Sequence, residues 1–146
     1  MPMAPEGYTY SMSKSLADYG VPSFDTPSDA CLWVHNHIGY IADDYLQTPE
    51  ETLQKRAGDC KDYTLLWMYI VHEQFGLSPS LLEVEITDIR MPLEGHCIGE
   101  IDTDLYDPTL AGIPGMPWYL FFTVATVDYN SAIYDAVTTH KLPLSK

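Results

Sequence analysis

The chain has 146 residues, 46% of them apolar, and its 21 Asp and Glu against 7 Lys and Arg give a net charge of −14 at pH 7. This length suits one domain with a hydrophobic core and is short for two. So acidic a chain disfavours nucleic acid and anionic membranes as partners, because binding to either depends on clustered Lys and Arg.

The first segment, residues 1–27, is predicted to be an N-terminal arm. Its few apolar residues follow no regular period, and Pro and Gly recur throughout it. We therefore expect the folded domain to comprise residues 28–146.

The domain is predicted to open with a helix over residues 28–45. Thr26 or Ser28 suits the N-cap of this helix, and Pro27 is allowed in its first turn. Apolar side chains then recur three and four positions apart, which is the spacing of one buried helix face. They are Cys31, Val34, Ile38, Ile41 and Tyr45.

Two further helices are marked by their ends. The segment TPEETL is a capping box, in which Thr48 accepts a hydrogen bond from the amide of Glu51, and a helix of one or two turns should follow it. Another helix is predicted over residues 59–75, ended by Gly76. Its middle, YTLLWMYIV, is apolar on all sides, so we expect this helix at the centre of the core.

From residue 80 onward the pattern becomes that of strands. Leu82, Val84 and Ile86 alternate with polar residues, as in a half-buried strand. GHCIGEI and LYDPT are predicted as two more strands joined by a tight turn, PWYLFFTVATV as a further strand, and NSAIYDAV as a short helix capped by Asn130. Helices followed by an antiparallel sheet indicate an α+β fold.

Cys60 is the candidate nucleophile. It lies in the first turn of the predicted central helix, where backbone amides and the positive end of the helix dipole favour the thiolate. His96 is the candidate base, with Gly95 beside it leaving the backbone open to close approach, and Asp107 on the neighbouring strand is placed to orient the imidazole. An isolated cysteine is more often a core residue, so the prediction depends on all three residues together.

These motifs resemble those of the transglutaminase-like cysteine protease superfamily, whose fold is related to that of papain. The resemblance covers about residues 28–110 and lies in PEETLQKRAGDCKDYTLL, in the His of GHCIGEI and in the Asp of LYDPT. It implies Cys60 as nucleophile, His96 as base and Asp107 as the residue that orients it. It also implies a central buried helix that starts at the nucleophile and packs on an antiparallel sheet. The superfamily tends to have a Tyr and an Asp in the segment IGYIADD.

The chain departs from this superfamily directly after His96, where a small residue and then an aromatic are usual and this chain has Cys97. Because side chains alternate along a strand, Cys97 should point away from the face of His96 and into the core. The amide of Cys60 is a natural first donor of an oxyanion hole. Tyr40 and Gln54 are the candidates for the second donor.

No metal or cofactor is predicted. The three cysteines have no paired spacing, which favours reduced thiols over a disulfide framework. Zinc held by Cys60, Cys97, His96 and Asp107 is disfavoured, because structural zinc sites use closely spaced cysteine pairs and catalytic sites use other ligand sets.

The chain has no apolar segment of roughly 18 residues, the length expected of a membrane span. Its first residues lack the basic start and apolar middle of a signal peptide. We therefore expect the protein in the cytoplasm, or in a particle assembled there.

Two functions of different classes are predicted. The first is thiol-dependent acyl transfer on a peptide or protein substrate, with hydrolysis of a peptide or isopeptide bond preferred and protein cross-linking by a transglutaminase reaction as the alternative. The acidic surface favours basic or neutral substrates. The second is a structural or interaction module, catalytically idle, in a larger assembly such as a virion, with partners bound through the 1–27 arm and the C-terminal tail.

Overall fold

The computed structural model describes residues 3–90, 95–110 and 117–141, which form the predicted α+β fold. The helices are α1 (Pro27–His37), α2 (Pro49–Lys55), α3 (Cys60–Phe75) and α4 (Tyr129–Lys141), preceded by a 3₁₀ turn at Ala17–Tyr19. Strands β1 (Gly39–Tyr40) and β2 (Ala57–Gly58) pair in parallel. Strands β3 (Ser80–Ile86), β4 (Gly95–Ile101), β5 (Asp104–Tyr106) and β6 (Phe121–Val127) form an antiparallel sheet in the order β5-β4-β3-β6.

The central position of α3 confirms the prediction from its apolar sequence. Every residue from Asp62 to Val71 is buried, because helices α1 and α2 and the sheet all pack against this helix. Gly76 ends α3 with a φ of 68°, a left-handed conformation that favours glycine.

Helix α3 meets the sheet chiefly at β4. Gly99 faces Trp67 so closely that a Cβ at position 99 would lie 2.2 Å from Trp67 Cζ3. One turn nearer the start of α3, Thr64 Oγ1 donates to the carbonyl oxygen of Cys97 at 3.2 Å. Since Cys60, Thr64 and Trp67 share one helix face, these contacts set Cys60 against the beginning of β4.

The first helix is shorter than predicted and ends at His37 rather than at residue 45. Its N-cap is Thr26, as predicted, whose side chain accepts from the amide of Asp29. Beyond the helix the Gly39 amide donates to Arg56 O at 2.9 Å and the Ile41 amide to Gly58 O at 2.8 Å. This pairing of β1 with β2 satisfies backbone groups that a longer helix would have used, so extended structure prevails.

The ends of the other helices agree with the sequence in part. Thr48 caps α2 as predicted, accepting from the Glu51 amide at 3.2 Å. The predicted cap of the last helix, Asn130, is wrong: Asp128 Oδ1 accepts from the Ser131 amide at 2.8 Å, so α4 begins earlier. It also continues to Lys141, beyond the predicted short helix.

The described part of the 1–27 arm packs on the rest of the chain. The rings of Tyr8 and Tyr134 are 5.1 Å apart, and those of Tyr10 and Tyr69 are 5.5 Å apart. Val21 is buried in the core. The division into an arm and a domain stays a prediction, and residues 142–146 of the tail lie outside the described residues. Among the residues described, no helix is long and apolar enough to cross a membrane.

Candidate active site

Cys60 is the first residue of α3, directly after the N-cap Asp59. The turn before it is held by the buried carboxyl group of Asp62, whose oxygens accept from the amide of Asp59 at 3.0 Å and from the amide of Gln47 at 2.8 Å. Gly58 passes so close that a Cβ there would lie 2.6 Å from Asp62 Cβ. The position of the thiol is therefore set by contacts on both sides of the turn.

A charged network surrounds this turn. Lys61 Nζ pairs with Asp43 Oδ1 at 2.9 Å and also with the carboxylate of Asp59. Burial and a hydrogen bond with Asp43 raise the pKa of Asp62 to about 9. Oxygens of Asp43, Asp59 and Asp62 lie within 4.8 Å of one another, a spacing suited to a cation. The Lys61 ammonium is the cation that pairs with the carboxylates of Asp43 and Asp59. The network reinforces the helix start.

His96 and Asp107 form a buried pair. His96 Nε2 lies 2.9 Å from Asp107 Oδ2, and the two side chains are 3% and 0% exposed. Because Asp107 occupies Nε2, the other ring nitrogen, Nδ1, is the one available to Cys60, which lines the same cavities as His96. The structure thus brings the three predicted catalytic residues together.

The thiolate of Cys60 and the imidazolium of His96 stabilise each other. The hydrogen bond from Cys97 and the hydrogen bond and charge of His96 favour the thiolate, whereas burial opposes it. Together these effects lower the pKa of Cys60 to about 5. Burial opposes the charge of His96, but hydrogen bonds to Asp107 and Cys60 raise its pKa to about 9. Opposite charges at close range favour both charged forms, so the pair is a thiolate and an imidazolium at neutral pH.

The Asp107 carboxylate has four hydrogen-bond donors. Oδ1 accepts from the amides of Thr109 and Leu110, both at 3.0 Å, and Oδ2 accepts from His96 and from the hydroxyl of Tyr119. Burial works against its charge, yet the hydrogen bond and charge of His96 and the Tyr119 hydroxyl lower the pKa of Asp107. Asp107 is therefore ionised and held in one orientation.

The sequence did not single out two residues that support Asp107. Tyr119 precedes β6, bonds Asp107 and sets its ring edge-on to His96 with centroids 6.0 Å apart. His35 on α1 places Nδ1 3.1 Å from Pro108 O and 3.0 Å from Thr109 O, which ties the loop after Asp107 to the helix. Neither contact has a local sequence signal, because each joins distant segments of the chain.

Cys97 lies beside Cys60 as well as against the core. Its side chain packs on the core cluster, is partly exposed and lines one cavity together with Cys60. The Cys60 sulfur and burial both raise the pKa of Cys97, so Cys97 is the protonated partner. Cys97 thus packs on the core as predicted, but it is only partly buried there because its side chain also lines the cavity of Cys60.

Two cavities meet at Cys60, Gly95 and His96. One, of about 310 Å³, is completed by Tyr40, Thr109 and Leu110. The other, of about 320 Å³, is completed by Glu83, Val84, Glu85, Cys97 and Val124. One side of the nucleophile therefore has aromatic and aliphatic walls, and the other has two acidic side chains.

The two candidate oxyanion donors have different positions. Tyr40 lines the first cavity with Cys60, and burial and the charge of Cys60 raise the pKa of its hydroxyl. Gln54 is not brought to the site, which corrects that prediction: its Nε2 donates to the hydroxyl of Tyr19 at 3.3 Å. The reason is that α2 buries Leu53 and leaves Gln54 on its exposed side.

Comparisons with known proteins agree on the type of domain. A family model described as a transglutaminase-like domain matches residues 7–106. The fold is similar to that of the crystal structure of a "putative cysteine protease" from Cytophaga hutchinsonii, with a TM-score of 0.50 and 17% sequence identity. That similarity covers 76% of this chain and 39% of the other, so this chain spans about two fifths of that protein. No curated protein matches the chain.

Proposed function

Since the chain belongs to the family of transglutaminase-like domains, we propose that it is a cysteine-dependent acyl-transfer enzyme that hydrolyses peptide or isopeptide bonds. One observation carries the proposal. Cys60, at the positive end of α3, lines the same two cavities as His96, and His96 is held by the buried carboxylate of Asp107. A nucleophile, a base and an orienting group in this order are the parts that acyl transfer needs.

In the proposed reaction the Cys60 thiolate attacks the carbonyl carbon of an amide. The oxyanion accepts a hydrogen bond from the amide of Cys60 and one from the hydroxyl of Tyr40, the candidate that lines the cavity. His96 donates its Nδ1 proton to the leaving amine, and a thioester remains on Cys60. His96 then takes a proton from water, which attacks the thioester and releases the acid, while Asp107 keeps the ring in place.

The two cavities suggest how a substrate lies across the nucleophile. A chain that crosses Cys60 would place one flank near Tyr40 and Leu110 and the other near Glu83 and Glu85. Carboxylates on one flank attract a cationic side chain and repel an acidic one. We therefore propose a basic or neutral peptide as substrate, in agreement with the expectation from net charge.

Water and an amine remain the two possible acceptors of the acyl group. With an amine as acceptor the same thioester would yield a cross-link, which is the transglutaminase alternative. Incubation of the protein with peptide substrates, with and without a dansylated primary amine, separates the two. New carboxyl ends indicate hydrolysis, whereas incorporation of the dansyl group indicates transamidation.

The primary test is alkylation of Cys60 by iodoacetamide across pH. Rapid alkylation of Cys60 near pH 6, slowed by His96→Ala and unchanged in Cys31→Ala, is the expected result, because Cys31 is buried and lies outside the cavities. If Cys60 reacts no faster than an ordinary thiol, the enzymatic proposal fails. The interaction module would then be the better proposal.

One observation favours the enzyme over the module. In the described part of the 1–27 arm, Tyr8 and Tyr10 pack on the chain's own helices. This arm surface is thus already occupied within the chain. Binding of protein partners through the arm or the C-terminal tail stays a proposal.

A further inference from the structure

The thiols of Cys60 and Cys97 are neighbours because α3 is pressed closely against β4. Thr64, one turn after Cys60, donates to the backbone carbonyl of Cys97 at 3.2 Å. One turn further, Trp67 packs on Gly99, where no Cβ can be accommodated. These two contacts set one face of α3, with Cys60, Thr64 and Trp67, along the face of β4 that carries Cys97 and Gly99. At this end of the contact between α3 and β4, the side chains of Cys60 and Cys97 line one cavity.

The pair has the features of an oxidisable site. Both cysteines are free thiols and line the same cavity of about 320 Å³, which a small oxidant can enter. Cys60 is a thiolate at neutral pH, the form that reacts with peroxides. Cys31, the third cysteine, is fully buried in the core, and burial raises the pKa of its thiol. It therefore does not compete for the oxidant.

We propose that Cys60 and Cys97 form a site of reversible oxidation, in which hydrogen peroxide oxidises Cys60 and Cys97 then closes a disulfide with it. In the first step the Cys60 sulfur attacks a peroxide oxygen, the O–O bond breaks and hydroxide leaves, which produces a sulfenic acid. In the second step the Cys97 sulfur attacks the Cys60 sulfur, the S–O bond breaks and water leaves with the Cys97 proton. Overall, the two sulfurs lose two electrons and one peroxide is reduced to water.

The disulfide would regulate the proposed enzyme, so this inference rests on the proposed function. It removes the nucleophile and stops acyl transfer until a dithiol restores both thiols. It also protects Cys60, since a sulfenic acid without a nearby thiol is oxidised further to a sulfinic acid that dithiols do not reduce. Cys97 would thus convert irreversible damage into a reversible switch.

The experiment exposes the full chain to hydrogen peroxide, blocks the remaining thiols and maps the cysteines by mass spectrometry. The wild type and Cys31→Ala should lose two hydrogens and yield a peptide in which Cys60 is linked to Cys97, and dithiothreitol should reverse both changes. Cys97→Ala should instead gain two oxygens on Cys60, and dithiothreitol should not remove them. Dimedone added with the peroxide should trap the sulfenic acid on Cys60 in this variant.

Three outcomes would overturn the inference: a sulfinic acid on Cys60 of the wild type with Cys97 still free, a disulfide between two chains, or equal reversibility in the wild type and Cys97→Ala. Alkylation of Cys60 by iodoacetamide without peroxide separates this failure from that of the proposed function. If Cys60 is alkylated rapidly near pH 6 but forms no disulfide after peroxide, the oxidation site is contradicted and the proposed enzyme is not. If alkylation of Cys60 is slow, the proposed enzyme is contradicted, whether or not peroxide produces a disulfide.

Discussion

His96 Nε2 lies 2.9 Å from Asp107 Oδ2, and both side chains are buried. His96 is on β4 and Asp107 directly follows β5, so the pairing of these two strands sets the pair. The carboxylate is already oriented by the amides of Thr109 and Leu110. The imidazole therefore has one favoured orientation, with Nδ1 left for Cys60.

The pKa values of Cys60 and His96 predict a plateau of activity between about pH 5 and about pH 9. Cys97 lowers the pKa of Cys60 and Asp107 raises the pKa of His96, and the attraction between thiolate and imidazolium adds to both shifts. Below the plateau the thiolate gains a proton, and above it the imidazolium loses one. Measurement of kcat/KM for a peptide substrate against pH should thus give a bell-shaped curve.

In His96→Ala, the pH at which Cys60 becomes reactive toward iodoacetamide should rise toward the ordinary thiol pKa of about 8.5. The variant removes a hydrogen bond and a positive charge that favour the thiolate of Cys60. Cys31→Ala is the matched control and should leave this pH unchanged. A value that stays near pH 5 in His96→Ala would show that His96 does not activate Cys60.

Asp107→Asn should lower the pKa of His96, because it removes the charge beside Nε2. The rate of peptide hydrolysis should fall by about 10²–10⁴-fold, the range for loss of a positioned acid–base group. Tyr119→Phe keeps the charge and removes one hydrogen bond to Asp107, so its effect on both quantities should be smaller. Titration of His96 by NMR measures the pKa, and equal shifts in the two variants would contradict the role given to the Asp107 charge.

Gly99→Ala should destabilise the fold by about 1–3 kcal/mol, the usual effect of overpacking a core. The new Cβ would lie 2.2 Å from Trp67, so α3 or β4 would have to shift. Gly95→Ala is the matched control on the same strand, because no heavy atom of the described residues lies within 4 Å of a Cβ placed there. Its effect should stay within about 0.5 kcal/mol. Urea denaturation measures both, and similar losses would show that α3 does not pack on β4 as described.

Glu83→Gln together with Glu85→Gln should reduce the preference for arginine-containing over glutamate-containing peptides. Among the described residues neither glutamate forms an ion pair, and both line the cavity of Cys60. A surface charge interaction of about 1 kcal/mol corresponds to roughly a fivefold change in the ratio of kcat/KM values at low salt.

Asp104→Asn is the control for this substrate test, since it removes a charge from the edge strand β5, which β4 separates from the strand of Glu83 and Glu85. It should leave the ratio unchanged. The effect of the double variant should also shrink at high salt, because salt screens exposed charges. An unchanged ratio in the double variant at low salt would exclude the acidic cavity as a determinant of substrate choice.

The sequence by itself determined the features that depend on neighbours along the chain. The caps at Thr26 and Thr48, the end of α3 at Gly76 and the alternation along β3 all follow from hydrogen bonds or side-chain directions within a few residues. The motifs around Cys60 also indicated the family, which the family model confirms. Prediction from sequence was wrong where a distant segment competed for backbone hydrogen bonds. At the end of α1, the backbone that was predicted to continue the helix forms β1 and pairs with β2.

Only the tertiary structure decided which side chains meet. The Tyr119 hydroxyl donates to Asp107, Cys97 lines the cavity of Cys60, and Gln54 donates to the hydroxyl of Tyr19. Each of these contacts joins elements that are far apart in sequence, so no local period or motif records it. They depend on the distance between α3 and β4 and on the order of the strands, and these are set by how the whole core packs.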